Sequence, residues 1–430
     1  MMVQVACKLW LLRWAILIPL VTCIDFPKST PLLGSDHADP ITVRFFGRPE
    51  SNLTGLFAFE EDEKLVMVLC ARPGLADQPV DLKRLSFSLL IDMDSEVKFS
   101  DRGEADEFRT FRYGGWVTQP EKIQEDLELQ FDFRETESTS TFESTKPGNP
   151  ISLKPTWIKA PESIERKLKS STRSWVGIRD DPFILYGFYS TNVVAMVVEF
   201  PIELLGDSPN LLIWAKCEQN GRKIDHVGRS LRTMLPRFDE LNRLHPSEHV
   251  RTIRAKHTDP GILQDIKSFA LGPVFGIRHY DFEPDVMIFS RARWQENLAK
   301  FKVENRDSGN RVNPIAFPNG RRLEDDVATL MRDRGDALLF EVSTLEAHED
   351  NRLHPTKNNK PFLRSFPYLA APNKNPIEPE MPHLRTDNLV LLAALAVLLT
   401  LISFLLPWFL LFRTRRRLQR VERELATRSA

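Results

Sequence analysis

Apolar and polar residues alternate over much of the first half of the chain. Leu85, Phe87, Leu89 and Ile91 take every second position, and Leu127, Leu129, Phe131 and Phe133 alternate with Glu128, Gln130 and Asp132. Successive side chains of a strand point to opposite faces, so this period of two predicts half-buried antiparallel strands. Leu65 to Cys70 is an unbroken apolar run, the pattern of a more deeply buried strand. FILYGFY at 183–189, NVVAMVVEFP at 192–201 and LLIWAKC at 211–217 repeat the rhythm of apolar strand, short break and apolar strand ending in Cys. The expected fold is therefore mainly β, an antiparallel sandwich-like body with a first β-rich region at 24–133 and a second at 171–230. Between them, residues 134–170 open on a Ser/Thr/Glu/Pro-rich stretch and are expected to form a polar linker or long loop.

After residue 230 the period changes. Pro236, Pro246 and Pro260 cut a charged region into short helical pieces. Leu323, Val327, Leu330 and Met331 fall at i, i+4, i+7 and i+8, which predicts an amphipathic helix over 322–334 within a mixed region at 231–350. Asp325 and Asp326 would then occupy its first turn, where carboxylates face the positive end of the helix dipole. Residues 351–387 contain seven Pro and no period, and are expected to form a stalk.

The strongest single pattern comes near the end. Residues 389–412, LVLLAALAVLLTLISFLLPWFLLF, carry no charge. At ~1.5 Å per residue they reach roughly 36 Å, enough to cross a ~30 Å hydrocarbon core. Their side chains favour insertion by about 5–10 kcal/mol. At the other end, Lys8 and Arg13 precede an apolar run too short to span, so residues 1–23 are expected to be a signal peptide or an N-terminal anchor. Leu20-Val21-Thr22-Cys23 resembles a lipoprotein cleavage box in which Thr fits poorly.

Charge adds the orientation. The net charge of −1 divides into +5 in residues 413–430, +2 from Lys8 and Arg13, and −8 over 24–412. The Arg-rich tail at 413–430 is expected on the cytoplasmic side by the positive-inside rule, with Arg415, Arg416 and Arg417 against anionic lipid head groups. The acidic body argues against nucleic acid as its partner. The expectation is a single-pass protein of a bacterial cytoplasmic membrane, its body on the periplasmic side, with a protein or small-ligand partner there.

Chemistry is sparser. Cys70 and Cys217 both end apolar strands, and an even pair in an oxidising compartment suggests a disulfide; two buried thiols are the alternative. Asp36-His37-Ala38-Asp39 offers an Asp/His ligand set, an acid–base pair or a capped turn, with Asp36 and His37 as the binding candidates. His245 and His249 stand four apart, a metal-pair spacing on a helix, although Pro246 lies between them. Arg179-Asp180-Asp181-Pro182 and Arg321-Arg322-Leu323-Glu324-Asp325-Asp326 are the sharper candidates. Paired carboxylates can divide acid–base roles, and Arg179, Arg321 and Arg322 can receive an anion. The structural counterpart is a forked Arg–carboxylate network. No P-loop, dinucleotide fingerprint, nucleophile elbow or redox motif is present, and no cofactor is expected.

Seven segments carry a resemblance to a known family: SDHADP (35–40), FAFEEDEKLVMVLCARP (57–73), LLIDMD (89–94), RDDPF (179–183), NVVAMVVEFP (192–201), FPNGRRLEDDV (317–327) and FPYLAAP (366–372). In order and content they resemble the bacterial domain of unknown function 4331 family over residues 35–373. The resemblance implies fold and context, and supplies no catalytic residue. Family members often carry a calcium-like Asp/Asn-Asp-Gly-Asp run after the strand at 89–91. Here Asp92-Met93-Asp94-Ser95-Glu96 lacks the Gly and offers fewer oxygens, so Asp92 and Asp94 are weak metal ligands. Two function classes follow: a binding or scaffold module displayed at the membrane, and a hydrolase-like enzyme using Asp180, Asp181, Asp325 or Asp326.

Overall fold

The alternating segments pair with their neighbours through short turns, as antiparallel strands can. A computed structural model describes residues 49–72, 82–99, 115–134, 151–184, 190–230, 236–258, 282–294, 319–327 and 357–376. In chain order the strands are β1 (Leu53–Glu61), β2 (Lys64–Ala71), β3 (Leu85–Asp92), β4 (Val97–Lys98), β5 (Trp116–Val117), β6 (Leu127–Asp132) and β7 (Thr156–Lys159). They continue as β8 (Arg173–Asp180), β9 (Asn192–Pro201), β10 (Asn210–Gln219), β11 (Arg222–Val227) and β12 (Met287–Ser290). Helix α1 (Glu162–Ser171) joins β7 to β8, and α2 (Pro246–Thr258) precedes β12. The β1–β2 turn places Asp62 and Glu63 at positive φ, and Asn220-Gly221 does the same between β10 and β11. Such two-residue turns match the right-handed twist of the strands they join.

Two antiparallel sheets share one apolar core. The first has the order β1-β2-β9-β8. The second runs β11-β10-β3-β6-β7, with β12 beside the first residues of β10 and β11 beside its last. The expected alternation holds: Phe87, Leu89, Ile91, Leu129 and Phe131 enter the core. On the other face of that sheet Lys216 meets Glu128 at 2.9 Å and Glu218 at 3.3 Å. A smaller cluster, Leu90, Leu212, Trp214 and Ile288 with Val117, Ile123 and Val286, closes the same face nearby.

The four-stranded sheet differs, because β2 and β9 are buried on both faces. One face meets the second sheet, where Phe200 packs edge-on against Trp157 of β7 at 5.6 Å. The other is covered by residues 357–376. Tyr368 meets Phe59 edge-on at 5.7 Å, Phe366 lies under the Arg173 guanidinium at 4.3 Å, and Leu369 is fully buried. Glu199 is the polar anchor on this face. Its carboxylate takes Lys64 at 3.1 Å, Arg173 at 3.5 Å and the Tyr368 hydroxyl at 2.8 Å. Burial, then Glu199, holds that hydroxyl well above the ordinary phenol range.

Four expectations change. Residues 357–376, expected as part of a stalk, are a packed layer of the body. Their apolar FPYLAA run has a sheet face to bury against, which composition alone does not reveal. The expected linker 134–170 contains β7, which pairs with β6, and α1, whose Leu168 enters the core. The helix expected over 322–334 does not begin there: Arg321 forms an isolated bridge with Ala58, a turn follows, and helical geometry starts at Val327. Residues 328–334 lie outside the described residues. Finally, Cys70 and Cys217 are buried free thiols, not a disulfide. Cys70 sits on β2 of one sheet and Cys217 on β10 of the other. Burial pushes the Cys217 thiol far up, so it stays protonated.

No helix among the described residues is long and apolar enough to cross a membrane. The expected span 389–412, the tail 413–430 and the targeting segment 1–23 lie outside those residues. The described residues all belong to one compact unit, which ends at Met381.

Candidate functional site

The two Arg–Asp motifs meet at the four-stranded sheet. In the first, Arg173, Trp175, Gly177 and Arg179 alternate along β8 toward the face that residues 357–376 cover, as the period of a strand requires. The Arg179 guanidinium lies 4.2 Å from the centre of the Trp175 ring. Asp180, fully buried at the strand end, accepts from the side-chain amides of Asn358 (2.6 Å) and Asn373. Asn373 also exchanges hydrogen bonds with Asn192, its N–H donating at 2.7 Å and its carbonyl accepting at 3.0 Å. Burial raises the Asp180 carboxyl above its usual range, and the two amides oppose that rise. Asp181 turns back on its own chain and accepts from the Phe183 N–H at 3.0 Å.

The second motif is a stitch between the sheets. Asn319 pairs with the backbone of Ser290 on β12, its Oδ1 accepting at 2.6 Å and its Nδ2 donating at 3.2 Å. The Gly320 N–H donates to Ile288 at 2.7 Å, and Arg321 bridges Ala58 of β1. Gly320 has φ +74°, and a Cβ there would stand 2.8 Å from the Ala58 carbonyl oxygen, so the crossing demands glycine. Arg321 is 1% exposed, its guanidinium 4.0 Å from the Phe57 ring centre and 5.3 Å from that of Phe183. Phe183 is thus the point at which RDDPF reaches the Arg321 segment.

Asp325 is buried, and its carboxylate accepts from the Arg322 N–H at 2.7 Å. Its place is in a turn, three residues after that N–H, so the predicted helix-dipole role is corrected: it caps a turn. Arg322 pairs with Glu324 at 3.5 Å, and Asp326 is half-buried beside them.

Burial pushes the Asp325 carboxyl up to about 6. A raised carboxylate pKa means that the folded state holds a proton which the unfolded chain releases from about pH 4 upward. Stability is therefore lost as pH rises from about 4 through 6, by at most ~3 kcal/mol. Asp325→Asn keeps an acceptor for the Arg322 N–H and has no charge to desolvate. Chemical denaturation at pH 7.5 should find it as stable as wild type or more so, and insensitive to this titration. Asp325→Ala, which removes the acceptor, should be less stable than the Asn variant by about 1–3 kcal/mol. An Asn variant that loses stability at pH 7.5 while matching wild type at pH 4 would show that the ionised form is the one the fold needs.

The other candidates separate. Asp92 and Asp94 are joined by Asp126, whose contribution the spacing did not suggest; their ligand atoms lie within 4.8 Å of one another. Both oxygens of Asp92 are engaged, accepting from Asp94 N (3.2 Å), Ser95 N (2.9 Å), Ser95 Oγ (2.8 Å) and Gln124 N (3.0 Å). Asp126 accepts from Met93 N at 2.7 Å. The group closes the turn after β3, and a metal would have to compete with five hydrogen bonds. His245 and His249 do not share a helical face, because α2 begins at Pro246 and leaves His245 outside it. His245 pairs with Glu125 at 3.1 Å, which holds that carboxyl down to about 2. Asp36 and His37 lie outside the described residues.

Sequence reasoning missed a buried polar cluster under α2. His226 Nε2 donates to the Asp285 carbonyl at 2.7 Å, and Lys223 Nζ approaches His226 Nδ1 at 2.9 Å. The Asp285 N–H donates to His249 Nδ1 at 3.2 Å, and the two imidazoles stand edge-on at 5.0 Å. His249, which accepts on Nδ1, therefore carries its proton on Nε2, and His226 carries a proton on Nε2 toward the Asp285 carbonyl. Burial holds Lys223 down to about 7 and His249 down to about 3. His226 and His249 are fully buried, so the cluster joins β11, α2 and the segment before β12. Only Lys223 and His226 are close in sequence, three residues apart on β11; the other pairs are separated by 23 residues or more, which leaves no local spacing by which to find the cluster.

Compared with protein-family profiles, with curated proteins and with solved structures, the chain has no match.

Proposed function

We propose that the chain is a single-pass protein of a bacterial cytoplasmic membrane whose exported β body is a binding or scaffold module. The resemblance of residues 35–373 to the domain of unknown function 4331 family belongs to the same reading. Membrane anchoring is supported by the 24 uncharged residues of 389–412 with seven Arg directly after them. One observation carries binding over catalysis: the carboxylates eligible for acid–base work are employed apart, as fasteners. Asp92 closes one turn, Asp325 another, and Asp180 holds residues 358 and 373. An acid–base pair needs two groups facing one substrate position; Asp92, beside Asp94 and Asp126, already accepts hydrogen bonds through both oxygens, and Asp180 and Asp325 are fastened to separate segments.

The topology is tested by reporter fusions. Alkaline phosphatase joined after residue 380 should be active, and the same enzyme joined after residue 430 inactive. The reverse pattern would overturn the orientation, and activity at both positions would remove the span.

A further inference from the structure

Several charges buried among the described residues are met by polar partners. Glu199 has Lys64, Arg173 and Tyr368; Lys216 has Glu128 and Glu218; Asp180 has two amides. Arg179 departs from that pattern. Its side chain is 8% exposed, its Nε is buried without a hydrogen bond, and no carboxylate among the described residues pairs with it. Two carboxylates adjoin it in sequence, yet Asp180 is taken by Asn358 and Asn373, and Asp181 accepts from Phe183 N. Burial lowers the Arg179 pKa below its ordinary value. A guanidinium desolvated in this way gains most from an acceptor brought by another molecule.

Geometry narrows the ligand. The guanidinium carbon lies over the Trp175 ring, a cation–π contact that holds the head group in place while its Nε keeps no hydrogen-bond partner. A guanidinium carries N–H donors in a fixed fork, which suits two oxygens of one planar or tetrahedral oxyanion. We infer that Arg179, held over the Trp175 ring, is the receiving group for the carboxylate or phosphate of a small anionic ligand. The inference deepens the binding-module reading and rests on it, but it makes no use of the membrane span.

The test is a thermal-melting titration of the full-length chain in detergent at fixed ionic strength, chloride being exchanged for inorganic phosphate in one arm and acetate in the other. The wild type should gain stability saturably in at least one arm, and the better arm assigns the ligand class. Arg179→Gln should abolish the gain. Arg179→Lys keeps the charge without the fork, and should need roughly tenfold more anion or worse. The Lys variant decides the matter if the Gln variant fails to fold. A flat response in both arms, a linear response without saturation, or an equal response in the Gln or Lys variant would overturn the assignment. Each of those results leaves the reporter-fusion outcome untouched, so the two readings fail separately.

Discussion

Asp180→Ala is expected to loosen residues 357–376 from the body and to lower stability by about 1–3 kcal/mol. The carboxylate is fully buried and accepts from the amides of Asn358 and Asn373, which belong to opposite ends of that segment. Alanine removes the acceptor of both amides at once; Asn373 Nδ2 keeps the Thr191 carbonyl at 3.0 Å, and the half-buried Asn358 amide loses its partner at a cost of about 1–3 kcal/mol. The loss is directional. Tyr368 still holds Glu199 and Leu369 is still packed, so the middle of the segment should stay seated while its ends open. Hydrogen exchange should therefore accelerate at Asn359 and Asn373 before Leu369. Asp180→Asn keeps the volume and one acceptor and has no charge to desolvate, so it should recover part of the loss. An alanine variant whose denaturation midpoint and exchange pattern both match wild type would show that the apolar contacts alone fasten the segment.

Gly228→Ala is the second large effect. A Cβ built on Gly228 would stand 2.2 Å from the Asp285 carbonyl oxygen, 2.4 Å from its carbon and 2.7 Å from the Val286 Cα. All three are backbone atoms, so no side chain can swing aside, and β11 must part from the segment that leads into β12. Overpacking of a tight site typically costs 1–3 kcal/mol, and a backbone obstacle puts this case at about 3 kcal/mol or above. The displaced carbonyl is the one that accepts from His226 Nε2, so the buried imidazole loses its partner as well. Urea denaturation of Gly228→Ala should show the loss without a change in slope. A variant within about 0.5 kcal/mol of wild type would mean that this contact relaxes freely.

Much of this fold was legible as pattern. The alternation of Leu85–Ile91 and Leu127–Phe133 forced those strands to present one apolar face, because side chains on a strand alternate whatever the tertiary context. The unbroken run at 65–70 predicted a more deeply buried strand, and β2 is buried on both faces. What covers the second face was not legible. The covering residues 357–376 lie more than 150 positions after β9, and seven prolines in 351–387 read equally well as a stalk. The helix over 322–334 failed at its start for a related reason. The spacing of Leu323 and Val327 satisfies a helical stripe, but Arg321 is held by Ala58 in a bridge that no local period can encode.

The candidate residues divide in the same way. The sequence supplied Arg179, Asp180, Arg321 and Asp325 as residue types able to bind anions or move protons. Only the tertiary structure assigned their work: it gave Asp180 two amides, turned Asp325 onto the Arg322 N–H, laid Arg321 between two phenyl rings and left Arg179 on Trp175 without an anion. A charge acquires its role from what desolvates it and what meets it, and both are set by segments distant in the chain. By itself the sequence determined the periodic strands and the uncharged stretch at 389–412, because periodicity and hydropathy are local sums. Pairing of buried charges is not a local sum, and there the fold decided.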